Sequence, residues 1–375
     1  MDCALPDWLD PSAWLERAAN ATERDVDAAL NAETPAEAEL AALLSPVARP
    51  RLEEMARRAQ AGTRRHFGRT IKLYAPLYLS SYCSGGCVYC GFAADREQPR
   101  HRLDDEEISA EILALRDSGI EDVLLLTGER SPKADFDYVR HAVSMAAEHI
   151  HRVTVEVFPM AEDEYAQLAD AGCTGITVYQ ETYDRELYDE LHRWGAKKNY
   201  DARLETPARA LAGGIRSVGL GALLGLSEPV SEMLCLYRHA RHLQKTYWRG
   251  EVSLSFPRIC PQAGGYQAAY LVDEKALAQY ILAMRICLPD VPLVLSTREG
   301  PEFRDGMAGL GISKMSVASR TTVGGYSEEI DHPEGQFEVH DGRDVEAFIA
   351  ALRNKGLEPV FKDWERVYSG AVAAP

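Results

Sequence analysis

From about residue 71 onward, short apolar runs alternate with longer stretches in which apolar positions recur at helical spacing. The runs at 71–79, 121–127, 152–158, 175–180, 217–224, 250–256, 291–296 and 312–318 have the length of buried strands. Helical patterns fall between several of them, at 104–118, 133–149, 228–247 and 273–288. In the first of these, Asp104 and Glu107 form a capping-box start, and Ile108, Ile112 and Leu115 share one face. A repeated strand-then-helix order with eight strands predicts an α/β protein, a (β/α)8 TIM-like barrel, over an antiparallel fold. Another parallel α/β sheet is the alternative. Residues 1–65 read as helical and peripheral. The stretch 27–43 is rich in Ala, Glu and Leu, and Pro46 and Pro50 interrupt the next segment. The expected organisation is a helical extension over 1–70, a barrel over 71–320, and a loop and closing-helix region over 321–375.

Composition narrows the function classes. The 375 residues are 46% hydrophobic, enough for a large core, and carry a formal net charge of -17. So acidic a surface repels a nucleic-acid backbone. No uncharged apolar run approaches the roughly 18 residues of a membrane span. The first residues, acidic and without a basic or apolar leader segment, suggest a cytoplasmic protein with neither nucleic-acid nor membrane partners. Of eight cysteines, Cys3, Cys173, Cys235, Cys260 and Cys287 are scattered and are expected to be ordinary reduced residues.

The other three lie together just after the first strand: Cys83, Cys87 and Cys90, spaced C-x3-C-x2-C on a glycine-bearing loop. Three thiolates can hold three irons of a four-iron cluster and leave the fourth open to a substrate or cofactor. Zinc is the alternative, with a fourth ligand such as His66 or His101. Catalytic groups of a barrel belong at the C-terminal ends of its strands. The cysteine loop, Thr127-Gly128-Glu129, Glu156, Gln180-Glu181 and Ser296-Thr297-Arg298 all fall there. Glu156 could bind a ribose or an amino group, or be a rim carboxylate. Arg203 could pair with a ligand carboxylate through its fork of donors, or form a surface ion pair. The glycines 219, 221 and 225 do not have dinucleotide-fingerprint spacing and suit close backbone approach instead.

The cysteine spacing, with aromatic Tyr89 before the last cysteine, resembles the signature of the radical S-adenosylmethionine (SAM) superfamily. That resemblance implies one [4Fe-4S] cluster on Cys83, Cys87 and Cys90, with S-adenosyl-L-methionine chelating the open iron and cleaved to methionine and a 5'-deoxyadenosyl radical. It also implies that Thr127, Gly128 and Glu129 bind the amino group of S-adenosylmethionine, although Thr127 stands where a glycine is common. Tyr89, Glu156 and Arg203 complete the expected cofactor set.

A closer resemblance covers 73–364. It rests on Leu73-Tyr-Ala-Pro-Leu-Tyr-Leu-Ser80, Cys87-Val-Tyr-Cys-Gly-Phe92, Val178-Tyr-Gln-Glu-Thr-Tyr183, Arg203-Leu-Glu-Thr-Pro207, Leu295-Ser-Thr-Arg-Glu299, Gly324-Gly-Tyr326 and Phe361-Lys-Asp-Trp364. Together these runs are similar to the tyrosine lyases of thiamine biosynthesis, the 2-iminoacetate synthase family. The resemblance implies L-tyrosine as substrate, 2-iminoacetate and p-cresol as products, thiazole synthase as partner, and a flavodoxin or ferredoxin-type electron donor. It implies that Ser296, Thr297 and Arg298 bind the tyrosine carboxylate, the alternative for Arg298 being a rim salt bridge with Glu299 or Glu302. Gln180, Glu181 and Arg258 are expected wall residues whose division between substrate and cofactor stays open. Two relatives compete. The [FeFe]-hydrogenase maturase carries a second cluster in a cysteine-bearing extension, and this chain has no cysteine after Cys287. A tryptophan lyase needs an indole-shaped pocket. A non-catalytic iron–sulfur scaffold would bind a cluster without cleaving the cofactor. His332 and His340 are expected to face solvent or a partner, and Gly324-Gly-Tyr326 to close near the substrate.

Overall fold

The computed structural model describes residues 5–327 and 335–362. Eight parallel strands close into a barrel: β1 (Thr70–Tyr78), β2 (Asp122–Leu126), β3 (Arg152–Glu156), β4 (Cys173–Thr177), β5 (Ser217–Gly221), β6 (Glu251–Ser255), β7 (Leu293–Leu295) and β8 (Lys314–Ser316). The order runs β2 to β8 and then β1, and β1 pairs back with β2, Ala75 opposite Val123 and Tyr78 opposite Leu126. β1 and β2 are buried along almost their whole length and read as near-continuous apolar runs, whereas β3, β5 and β6 alternate apolar with polar or glycine positions. This is the predicted TIM-like barrel. A ninth strand that the apolar pattern does not reveal, β9 (Glu358–Val360), pairs with β1 at Thr70–Lys72, before β2 takes over at Ala75. It has three residues, only one of them buried.

The predicted helices appear as Asp105–Asp117, Phe136–His149, Pro229–Thr246 and Glu274–Cys287. Asp104 and Glu107 do form the capping box: Glu107 N donates to Asp104 at 3.0 Å and Asp104 N to Glu107 at 2.7 Å. Ahead of the barrel, the stretch 27–43 is not one helix. Pro35 lies in a break between Glu23–Asn31 and Glu37–Leu44. The helix Leu52–Phe67 then packs on Glu274–Cys287. Buried Gln279 joins extension to barrel by donating to Leu43 O at 2.9 Å and Ser45 O at 2.8 Å, carbonyls at the end of a helix that no intrahelical partner reaches. No helix among the described residues is long and apolar enough to cross a membrane.

Candidate functional site

The loop leaving β1 holds the three cysteines. Cys83 Sγ accepts from the backbone N–H of Gly85 and of Glu129, both at 3.3 Å. Cys90 Sγ accepts from Phe92 N at 3.4 Å and from Gln336 Nε2 at 3.5 Å. Cys87 is buried among Tyr89, Leu191, Leu223 and Leu226. Burial pushes the Cys83 thiol up, and pushes Cys87 up to about 12. Sulfurs so buried need a cationic centre to ionise, while the N–H groups aimed at them suit thiolates. That donor set fits an iron–sulfur cluster, which takes one thiolate per iron. Among the described residues, no three His, Cys, Asp or Glu side chains gather tightly enough for a single metal ion. His101 faces Glu107 at 3.2 Å, and His66 sits on the helix leading into the opposite end of β1, so neither joins the sulfurs.

Beside this loop, Thr127-Gly128-Glu129 follows β2. A Cβ on Gly128 would lie 2.5 Å from Cys83 Cβ and 2.6 Å from Tyr82 O, so glycine is required for the two loops to touch. The Thr127 hydroxyl donates to Gly128 O at 2.9 Å. Glu129 Oε1 receives Arg203 Nη1 at 3.2 Å, and its buried Oε2 has no partner. Arg203 is buried, not on the surface. Its Nε donates to Tyr179 O at 2.8 Å and its Nη2 lies 3.9 Å from Glu181. Glu181 in turn receives Lys197 Nζ at 2.7 Å. Glu181 has a left-handed backbone, φ 71°. It is held there by Leu223 N donating to its carbonyl at 2.7 Å. Burial and Arg203 disfavour charge on Lys197, but Glu181, Cys87 and Glu129 shift the balance upward and keep it protonated. The result is a buried relay of alternating sign, Glu129–Arg203–Glu181–Lys197, with one open carboxylate oxygen at its end. An open acceptor beside the cysteine loop fits the ammonium group of S-adenosylmethionine. Gln180 Nε2 is likewise buried without a partner.

Tyr89 is oriented by His192, which no sequence pattern singles out. The two are 2.6 Å apart, OH to Nε2, and His192 Nδ1 faces Tyr188 O at 2.7 Å. A carbonyl can only accept, so Nδ1 carries the proton and Tyr89 donates to Nε2. Burial depresses His192 to about 2, which keeps it neutral and preserves that arrangement.

A cavity opens at the C-terminal ends of the strands. It brings together Tyr89, Cys90, Glu156, Glu181, Ser296, Thr297 and Arg298, over a floor of Tyr74, Leu124 and Tyr179. Arg298 does not pair with Glu299 or Glu302. Its guanidinium lies 3.3 Å from the centre of the Phe337 ring and donates to Arg258 O at 3.3 Å. Arg258 itself is turned to Glu299, with Nε at 2.9 Å, and to Val272 O at 2.7 Å. Gln180 and Arg258 are not among the lining residues; Lys197, Gln336 and Phe337 are. Burial, then Glu181, raises the Glu156 carboxyl to about 7, against the pull of Arg298, Lys197 and Arg203. His340 is exposed, as expected, and is tied to the rim of the site: its N donates to Thr297 O at 2.9 Å and its Nδ1 lies 2.5 Å from Arg298 O. Half-buried Tyr326 contacts Pro76 O through its hydroxyl and Glu111 on the outer helix through its backbone N–H, at 2.6 and 2.8 Å, so it holds the loop rather than meeting the cavity. His332, Asp363 and Trp364 lie outside the described residues.

Comparison with known proteins agrees with this geometry. Residues 77–239 match the radical SAM superfamily, and residues 255–358 match the biotin and thiamin synthesis associated domain. The 2-iminoacetate synthase of Escherichia coli is 44% identical over 346 residues, 92% of this chain and 91% of that protein. The [FeFe]-hydrogenase maturase of Carboxydothermus hydrogenoformans superposes with a TM-score of 0.85 at 30% identity, over 91% of this chain and 79% of that one. Methylornithine synthase shares the fold, with a TM-score of 0.71 at 21% identity. The open-ended thiolate triad, the barrel and these matches lead to one statement: the chain belongs to the radical SAM enzymes, in the family of carbon–carbon lyases acting on amino acids that includes 2-iminoacetate synthase, and it uses S-adenosylmethionine with a [4Fe-4S] cluster.

Proposed function

We propose that the enzyme cleaves the Cα–Cβ bond of L-tyrosine, giving 2-iminoacetate and p-cresol. The observation that carries this reading is the single cavity with Cys90 and Tyr89 on its wall and the Ser296–Arg298 turn beside them, floored by aromatic and aliphatic side chains. When bound, the cluster and S-adenosylmethionine supply hydrogen-atom abstraction chemistry at that wall. Cys83, Cys87 and Cys90 hold the cluster. Glu129 receives the cofactor's ammonium on its open oxygen, and Arg203 and Lys197 offer positive charge for its carboxylate. Arg298, its guanidinium plane resting on Phe337, binds the substrate carboxylate, with Ser296 and Thr297 beside it. Glu156, with a pKa of about 7, can take a proton from the substrate's amino group at neutral pH. Anchoring the amino-acid head holds its nitrogen within radical reach, where a small misplacement costs much of the rate.

The imine product hydrolyses readily, so a thiazole synthase that takes it directly is the partner this chemistry favours. A flavodoxin or ferredoxin-type protein would supply the electron. The test is product analysis. Reconstituted anaerobic enzyme given reductant, S-adenosylmethionine and L-tyrosine should yield 5'-deoxyadenosine, methionine, p-cresol and glyoxylate, the last from imine hydrolysis. Cofactor cleavage without p-cresol would reject the lyase reading. Cyanide or carbon monoxide would shift it to the maturase reaction.

A further inference from the structure

Beyond the barrel strands, residues 335–341 lie as a strap across the cavity, far downstream of the cysteine loop. The strap is tied at both ends. Gln336 N donates to Thr321 O at 3.0 Å, and Thr321 Oγ1 donates to Phe337 O at 2.8 Å. At the far end Asp341 pairs with buried Arg304 and, at 2.7 Å, with Arg343. Its approach to the cysteine loop is close: a Cβ on Gly91 would come within 2.5 Å of Gln336 O. Gln336 extends its amide between two groups. Oε1 lies 2.7 Å from Tyr78 OH, and Nε2 lies 3.5 Å from Cys90 Sγ.

The orientation of that amide follows from its neighbours. Tyr78 is buried, and burial raises its hydroxyl well above the ordinary range, so it stays a protonated donor. A phenol can donate or accept, so Tyr78 suits either end of the amide, and the thiolate, which can only accept, turns the amide nitrogen to the sulfur and the oxygen to Tyr78. The reverse orientation would set a carbonyl oxygen against a thiolate, with no proton between them. Hydrogen bonds to cluster sulfurs stabilise the more negative, reduced state and raise the potential. We propose that Gln336 is a positioning residue for the iron–sulfur centre: held by Tyr78, it donates to the Cys90 thiolate and makes the cluster easier to reduce. The strap that walls the substrate cavity therefore also sets how readily the cluster accepts its electron. This rests on Cys90 being a cluster ligand.

The experiment is a redox titration of reconstituted full-length enzyme, followed by electron resonance, with iron content measured alongside. Gln336→Leu removes the donor. Gln336→Glu keeps an acceptor for Tyr78 but turns a negative oxygen toward the sulfur. We expect midpoint potentials in the order wild type, Leu, Glu, from highest to lowest, with a tenfold change in the reduction equilibrium reading as about 59 mV for one electron. Both variants loaded with four irons but holding the wild-type potential would overturn the proposal. Loss of the cluster in both variants, with the wild type loaded, would also overturn it and assign Gln336 to holding the strap. Failure of the wild type itself to load would instead reject Cys90 as a ligand.

Discussion

At the lower end of the barrel, Asp122 on β2 is fully buried and surrounded by cations. Lys314 Nζ on β8 lies at 2.9 Å, Arg152 Nε on β3 at 3.6 Å and Lys72 Nζ on β1 at 3.8 Å. At the upper end, Glu156 on β3 faces a cavity, and burial, then Glu181, raises its carboxyl to about 7 against the pull of three cations. Tyr74, Leu124 and Tyr179 line both the upper cavity and a smaller lower chamber that reaches Arg152 and Lys314, so they form the partition between them. The lower cluster gathers its three cations on Asp122 Oδ2 and stitches neighbouring strands where the barrel closes. The upper residues keep unpaired capacity, such as Glu129 Oε2 and Gln180 Nε2. Asp122 Oδ1 also lacks a hydrogen bond, so neither open valence nor buried charge alone separates the site from the scaffold; the larger cavity faced by Glu156, Glu181, Lys197 and Arg298 does.

The sharpest break in that contrast comes from the cysteines. Cys83→Ala, Cys87→Ala or Cys90→Ala should abolish cofactor cleavage and lower iron content, while denaturation of the metal-free chain changes far less. Asp122→Ala should do the reverse. It strands three cations and should cost about 3–5 kcal/mol in urea unfolding, with affinity for S-adenosylmethionine kept. Lost cofactor affinity at wild-type stability would mean that the two ends are not separate. Arg298→Lys should raise the KM for tyrosine roughly 10- to 100-fold, about 1.4–2.8 kcal/mol, with the cluster intact. Unchanged tyrosine kinetics would remove Arg298 from the substrate site.

The smallest effect is the most diagnostic of the upper balance. The folded chain holds the Glu156 proton more tightly than the unfolded chain, so stability falls as pH rises from about 4.5 to 7 and stays lower above that. Glu156→Gln removes this slope. Relative to wild type it should gain roughly 2 kcal/mol between pH 5 and pH 8, the full shift being discounted for access of water to the cavity. Denaturant midpoints at the two pH values measure it, and an equal difference at both would show an ordinary carboxyl.

The barrel was legible because short apolar-bearing segments recur between helical stretches in the strand-then-helix order a parallel barrel needs. Their ends were not. The predicted run 217–224 stops as β5 at Gly221, because Leu223 and Leu224 turn their N–H groups to Glu181 O and Pro257 O. The residues after each strand stood out because barrel topology says where to look. Lys197 and His192 lie far along the connection after β4, where no periodicity marks them, and only the fold brings them back to Glu181 and Tyr89. Gln336 and Phe337 were less visible still, set in an acidic loop of unremarkable composition. Arg258 looked available as a strand-end cation, but Glu299, buried beside it, had a stronger claim on its guanidinium.

The contact between Gln336 and Cys90 spans 246 residues of chain. At ribosomal rates of about 5–20 residues per second, the cysteine loop emerges roughly 10–50 s before the strap that finally covers it. During synthesis the sulfurs therefore pass through an interval in which they are made but not yet roofed. Iron–sulfur delivery in that interval meets a cysteine loop whose Cys90 has not yet met Gln336.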